Sequence, residues 1–388
     1  MRSIDKYFAE LVLAQLNNRK PAPIPEDVSL QELVTLSRKN HMDYMILGGL
    51  LKTDNLPQEH VPELRKAVMT SLFRTTTQIT EFKELITRFE DNQVKNQPMK
   101  GSLLRYMYPS PEMREMSDID ILIDKDSWEK AEKVMTDMGY FLHESIKHHD
   151  IYVKKPFMVL EAHRAMYDKT VDNNQYEYFK NMSKAVLREG YQYSYDFTPE
   201  DFYIYMIAHM AKHFYKMGCG VRNLVDIYVY LQKFGGSLNQ AYIEKELKCL
   251  GLLDFTNHMV KLAGIWLGGE NEEEFYDQLF DYMLGSGIYG KDENGIWNKF
   301  CEEKMQDKEI TRKRLKSWYL FPPLHYMAEY YPWLEEYPFL LPVAWGIRAF
   351  RGVFLHKGTQ KRNMINEIDQ DQIGVYKRIY QEMNLHFR

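Results

Sequence analysis

Between Ser117 and Asp124 the chain reads Ser-Asp-Ile-Asp-Ile-Leu-Ile-Asp, an alternation with the period of a β-strand. As a strand it turns Ile119, Ile121 and Ile123 toward a core and Asp118, Asp120 and Leu122 to the opposite face. The segment therefore demands a sheet with one apolar and one acidic face. The two carboxylates would lie about 6 to 7 Å apart and repel each other. A divalent cation between them makes that arrangement favourable, because hard Mg²⁺ is bound by one or two carboxylates together with substrate phosphates. Without metal, removing either charge is expected to leave stability level or slightly higher. A D-x-D pattern by itself more often marks a solvated edge or turn, so its surroundings decide.

Those surroundings favour a site. Gly101 and Ser102 fall where a short strand around Val94 to Met99 passes into a helix from about Leu103 to Tyr108, a place where backbone N–H groups and a helix dipole receive phosphate. Lys100 and Arg114 flank the aspartates and carry charge suited to a triphosphate. Further on, Phe157-Met158-Val159-Leu160-Glu161 sets a single acid in an apolar strand, where it has to be paired, metal-bound or at an exposed end. Alone, each feature is ordinary: Gly-Ser is usually a turn, and a lone lysine or arginine usually a surface charge.

Around this region the periodicity changes. Residues 3–18 read as a helix with Ile4, Phe8, Leu11, Val12 and Leu16 on one face, and Ser29 caps a second helix with Glu32 at its third position. A long helical pattern covers Val61 to about Asp91. Strands are expected at Tyr140 to Leu142, Ile151 to Val153 and Phe157 to His163. The Lys154-Lys155-Pro156 loop joins the last two, and a helix from Ser127 to Met138 is capped by Ser127. Thr198 and Pro199 open a return to helix that continues through about Met305, followed by an aromatic stretch from Trp318 to Trp345. The expected organisation is α+β: an N-terminal helical region at 1–91, a small mixed α/β core at 92–197, a C-terminal helical region at 198–310, and an aromatic-rich helical extension and tail at 311–388.

Composition narrows the partners. Lys plus Arg number 50 against 55 Asp plus Glu in 388 residues, and a net charge of -5 offers no attraction to a long nucleic-acid backbone. Cys219, Cys249 and Cys301 suit neither a zinc site nor a disulfide framework, which fits a reducing cytoplasm. No segment approaches the roughly 20 apolar residues that span a bilayer, so a soluble, cytoplasmic chain is expected.

The stretch Met99-Lys100-Gly101-Ser102-Leu103-Leu104 through Tyr108-Pro109, followed by Arg114-Glu115-Met116-Ser117-Asp118-Ile119-Asp120, resembles the uncharacterised bacterial nucleotidyltransferase family of the polymerase-β-like superfamily. Val159-Leu160-Glu161-Ala162-His163 is similar to the strand that carries its third acid, and His209 to His213 with Arg222 to Asp226 are similar to its helical half. The resemblance implies a polymerase-β-like mixed sheet flanked by helical regions. It further implies Asp118 and Asp120 as ligands of two Mg²⁺ ions, or Mn²⁺ in their place. Glu161 would hold one ion and help activate an acceptor hydroxyl. On the nucleotide side stand Lys100, Gly101, Ser102, Arg114, Lys212 and His213. The implied reaction transfers a nucleoside monophosphate from ATP or another NTP to a hydroxyl on a small molecule or protein, with pyrophosphate leaving.

Other candidates read more plainly. His209 and His213 are one helical turn apart, but no glutamate stands between them in a zinc-protease pattern, so packing or substrate contact is the better reading. Arg222 and Asp226, also one turn apart, read as an ion pair, and His148-His149-Asp150 reads as a surface turn before a strand, with lining of the acceptor pocket as the alternative. Leu341 to Leu355 has an amphipathic pattern but reads as part of a packed aromatic connection. Two rivals stand beside the transferase reading: a nucleotide-binding or interaction module without catalysis, and a transferase that modifies a peptide or sugar.

Overall fold

The computed structural model describes residues 1–146, 148–169, 172–291, 294, 312–354 and 370–387. These group into two units, one of Met1–Lys212, Cys219–Ile288 and Leu385–Arg388, the other of His213–Gly218 and Tyr289–Asn384.

The first unit opens with helices. Helix α1 (Ser3–Leu16) buries Ile4, Phe8, Leu11 and Val12 as its spacing predicts. Helix α2 (Leu30–Lys39) is capped by the Ser29 hydroxyl, which accepts the Glu32 N–H at 3.3 Å. After α3 (Asp43–Leu50) comes α4 (Val61–Asp91), with Pro62 in its first turn, where no intrahelical N–H bond is lost.

Five strands follow: β1 (Asn96–Pro98), β2 (Ile119–Ile123), β3 (Phe141–Ile146), β4 (His149–Lys154) and β5 (Met158–His163). They lie in the order β1-β2-β5-β4-β3, with β2 and β5 parallel and the other neighbours antiparallel. The fold is thus α+β, a mixed sheet between helical regions. One face of the sheet packs on helix: Ile119, Ile121, Ile123, Leu160 and Ala162 share a core with Phe82, Leu85, Ile86 and Phe89 of α4 and with Ala131, Val134 and Met135. The last three lie on α6 (Trp128–Asp137), which follows the single turn α5 (Gly101–Leu104).

Two local expectations change. The helix expected over Leu103 to Tyr108 is α5 tightening into a 3₁₀ turn, Arg105–Met107. Ser127 does not cap α6: its hydroxyl accepts the Lys95 N–H at 3.0 Å, and the Asp124 side chain caps the preceding 3₁₀ turn. After helix α7 (Asn173–Phe179) and the small hairpin β6 (Ala185–Leu187) and β7 (Tyr195–Phe197), helix α8 (Pro199–Met217) starts where Thr198 accepts the Asp201 N–H at 3.1 Å. Helix α9 (Arg222–Phe234) and then Gln240–Cys249, Leu253–Gly268 and Glu274–Ser286 complete this unit. The expected helical continuation to Met305, and Cys301 with it, lies outside the described residues.

In the second unit, Arg312–Leu320, Leu324–Tyr330, Leu341–Phe354 and Gln370–Met383 are helical around Trp318, Tyr326, Met327, Leu334, Ala344, Ile373 and Tyr380. Trp345 donates its indole N–H to the Pro322 carbonyl at 2.8 Å and Arg348 donates to that of Tyr319 at 2.6 Å, as a packed aromatic connection requires. Among the described residues no helix is long and apolar enough to cross a membrane.

Candidate functional site

The face of the sheet turned away from α4 carries charge. Parallel pairing sets Asp120 of β2 opposite Glu161 of β5, and antiparallel pairing sets His149 of β4 opposite His163 of β5. Asp120, Glu161 and His163 each bring one donor atom within 4.8 Å of the other two. Asp118 stands one residue before β2, half-buried.

Lys100 and His163 converge on one atom. The Lys100 ammonium donates to Asp120 Oδ1 at 2.7 Å, and His163 Nε2 lies 2.8 Å from the same oxygen. His163 Nε2 also lies 3.4 Å from Glu161 Oε2, and His149 Nε2 lies 3.8 Å from it. Burial would raise the Asp120 pKa, but Lys100 and His163 outweigh it and hold the carboxyl well below its ordinary range. Glu161 is likewise held low against burial, chiefly by His163. Asp118 behaves oppositely: burial, then the charges of Asp120 and Glu161, push it up to about 6 against the pull of Lys100. The expected repulsion therefore falls on Asp118. At Asp120 the negative charge is favoured, so the repulsion argument for removing a charge without loss of stability applies to Asp118 and not to Asp120.

Local backbone explains how Lys100 reaches the acids. It has φ 49 and ψ -123, an uncommon conformation for a residue with a Cβ, and it directly precedes α5. Burial would lower its pKa, but Asp120, Asp118 and Glu161 raise it. At Gly101 a Cβ would stand 2.2 Å from both Arg114 Nη1 and Met116 Sδ, so the glycine is required by packing. Ser102 is buried and donates its hydroxyl to the Met99 carbonyl at 2.6 Å.

Arg114 is not turned to solvent. Its Nε and Nη2 reach Asp226 Oδ1 and Oδ2, both at 2.9 Å, and the Tyr108 hydroxyl donates to Asp226 Oδ1 at 2.6 Å. The ion pair expected between Arg222 and Asp226 is thus replaced by one across 112 residues, while Arg222 donates to the Glu115 carbonyl at 2.7 Å. Beside them Arg105, 2% exposed, has no hydrogen-bond partner at Nε or Nη2 and is pushed down to about 10 by burial and by Arg114. Lys212 is half-buried, 5.4 Å from the centre of the Tyr167 ring, and His213 falls in the second unit.

Sequence reasoning missed the histidines. His163 is the last residue of β5, and His149, 9% exposed, is the first residue of β4 rather than part of a surface turn. The histidine at the end of the acid-bearing strand, two residues after Glu161 and so on the same face, is the available signal.

Residues 26–268 match the family model described as uncharacterised nucleotidyltransferase, more than half of the chain, and the protein belongs to that family. No curated protein and no solved structure matches it. Family membership makes nucleotidyl transfer the general chemistry and an NTP the general substrate class.

Proposed function

We propose that the protein transfers a nucleoside monophosphate from an NTP to a hydroxyl of a small molecule or protein, on the sheet face that carries Asp118, Asp120 and Glu161. The observation supporting this is the gathering of Asp120 and Glu161 on paired strands beside an Asp118 whose carboxyl is pushed up by burial and then by their charge. Three acids against one lysine, with oxygen donors in the majority, fit a hard divalent cation. A metal such as Mg²⁺ held by Asp118, Asp120 and Glu161 would neutralise this face and polarise the phosphate.

In the reaction the acceptor oxygen bonds to the α-phosphorus, the bond from that phosphorus to the bridging oxygen breaks, and pyrophosphate leaves with the electron pair. Glu161 accepts the hydroxyl proton, which becomes acidic as the new bond forms. Lys100 holds positive charge next to the phosphates. In this reading Arg114, with its donors on Asp226, and Ser102, with its hydroxyl on Met99, position the turn that carries Lys100 rather than touch the nucleotide. Lys212 is assigned to the nucleotide side.

Incubation of the full chain with a cell extract and NTPs labelled at the α or the γ phosphorus tests the reaction. Label from the α position should pass to an acceptor, label from the γ position only to pyrophosphate, and Asp120→Asn should transfer neither. Transfer of γ label to the acceptor would identify a kinase instead and overturn the proposal.

A further inference from the structure

Behind the acids lies a set of nitrogen donors that the transfer chemistry does not use. His148, His149 and His163 each bring one ligand atom within 4.8 Å of the other two. Their rings form a cluster, with centroids 4.6 Å apart for His148 and His149, 4.9 Å for His149 and His163, and 6.0 Å for His148 and His163. Nδ1 of all three is buried and has no hydrogen-bond partner. Each ring in the cluster thus keeps one buried nitrogen without a partner, which costs free energy unless a ligand takes it.

We propose that His148, His149 and His163 form a binding site for a borderline transition-metal ion of the Zn²⁺ class, adjacent to the carboxylates and distinct from the hard-cation site. Imidazole nitrogen selects Zn²⁺ and its neighbours in the first transition row over Mg²⁺, and three histidines with an open position are an established zinc ligand set.

The outward contact of His163 fits. A histidine that binds metal through one nitrogen ordinarily gives its other N–H to a carboxylate, which fixes its tautomer and orientation. His163 Nε2 lies 2.8 Å from Asp120 Oδ1, within hydrogen-bond reach, while His149 Nε2 faces Glu161 Oε2 from 3.8 Å, beyond it. Backbone structure holds the set in place: β4–β5 pairing fixes His149 against His163, and the His148 carbonyl accepts the Arg164 N–H at 2.8 Å. Near His148, the charge of Lys212 opposes a cation and that of Asp168 favours one.

The test uses the full chain, stripped with chelator and held in excess Mg²⁺ without nucleotide, so its outcome is independent of transfer. Calorimetric titration with Zn²⁺ should show one equivalent bound. His148→Gln and His149→Gln should each weaken it at least about 10²-fold, the scale of losing a whole ligand rather than a supporting contact. Glu161→Gln should keep it within about tenfold. Co²⁺ added to the wild type should give the intense visible absorption of a four- or five-coordinate nitrogen site, a readout that needs no variant. Loss of Zn²⁺ from Glu161→Gln as complete as from His148→Gln would place the ion on the carboxylates and overturn the proposal. So would a weak, six-coordinate Co²⁺ spectrum, or unchanged Zn²⁺ binding in both histidine variants.

Discussion

Asp226 and Asp120 are both buried aspartates beside a basic side chain, and their surroundings differ in kind. Asp226 receives both edges of the Arg114 guanidinium and the Tyr108 hydroxyl, all from residues far away in sequence. Asp120 shares one oxygen between Lys100 and His163, while Asp118 and Glu161 add negative charge that Lys100 alone does not cancel. Where donors match the acid, the cluster ties helix α9 to the segment leading into β2, and its charge is consumed by the fold. Where acids outnumber donors, charge is left over for something outside the chain. Buried titratable groups with opposed shifts are a mark of working sites, and Asp118 and Asp120 shift in opposite directions although two residues apart.

The contrast breaks most sharply at Asp120. Asp120→Asn is expected to reduce transfer at least about 10³-fold, roughly 4 kcal/mol of transition-state stabilisation, because it removes a charge from the acid face without changing shape. Asp118→Asn should lose transfer too, yet the two should part in thermal unfolding without metal. Asp120→Asn leaves Lys100 without its nearest acid and should melt lower, while Asp118→Asn removes a repelled charge and should melt level or higher. Equal shifts in melting temperature would show that the two aspartates share one environment.

Asp226→Asn should act on stability instead. It strands the buried Arg114 guanidinium beside Arg105 and Arg222, and breaking such a pair costs about 3–5 kcal/mol. Denaturant unfolding measures it. Transfer per folded molecule at low temperature should stay within roughly tenfold of wild type. A loss of transfer at unchanged stability would make Asp226 part of the site.

A finer division concerns Glu161, which lies on β5 rather than β2. Glu161→Gln is expected to bind Mg²⁺·NTP within roughly tenfold of wild type, about 1.4 kcal/mol, but to transfer at least about 10²-fold more slowly, as for a missing general base. Calorimetry with a non-hydrolysable NTP beside a transfer assay separates the two. If the variant binds as poorly as Asp120→Asn, Glu161 serves the nucleotide; if it transfers normally, it is structural.

What the sequence disclosed follows the range of the forces involved. Strand β2 was readable because period-two alternation at Ile119, Ile121 and Ile123 is local, and so were the Ser29 and Thr198 caps, which bond three residues away. The acid face was readable through Asp118, Asp120 and, by resemblance, Glu161. Pairings across long separations were not. Arg222 and Asp226 are one turn apart, but Asp226 finds Arg114 and Arg222 finds the Glu115 carbonyl. His148 and His149 gave no local sign of burial, because the β4–β5 register brings His149 to His163 and a backbone bond from Arg164 holds His148 beside them. Ser127 had a good local cap position, but Lys95 from β1's approach reaches its hydroxyl first.

His41 stands between the two clusters, and it supplies the smallest of the expected effects. Its Nδ1 lies 3.2 Å from the Ser117 hydroxyl, next to Asp118, while burial and then the charges of Arg222 and Arg74 push its pKa down from 6.5 to about 4. Between those values the unfolded chain binds a proton at His41 that the folded chain refuses. Stability from this residue is therefore fully present above pH 6.5 and is lost as pH falls toward about 4, where the folded form protonates as well. Its φ of 50 favours asparagine as the replacement, since Asn tolerates that conformation and keeps a polar group near Ser117. His41→Asn should shrink the drop in melting temperature between pH 6.5 and pH 4 without altering the melting temperature's response to Asp226→Asn. Scans of both proteins across that window decide it, and parallel curves would mean that His41 titrates alike in the folded and unfolded chain.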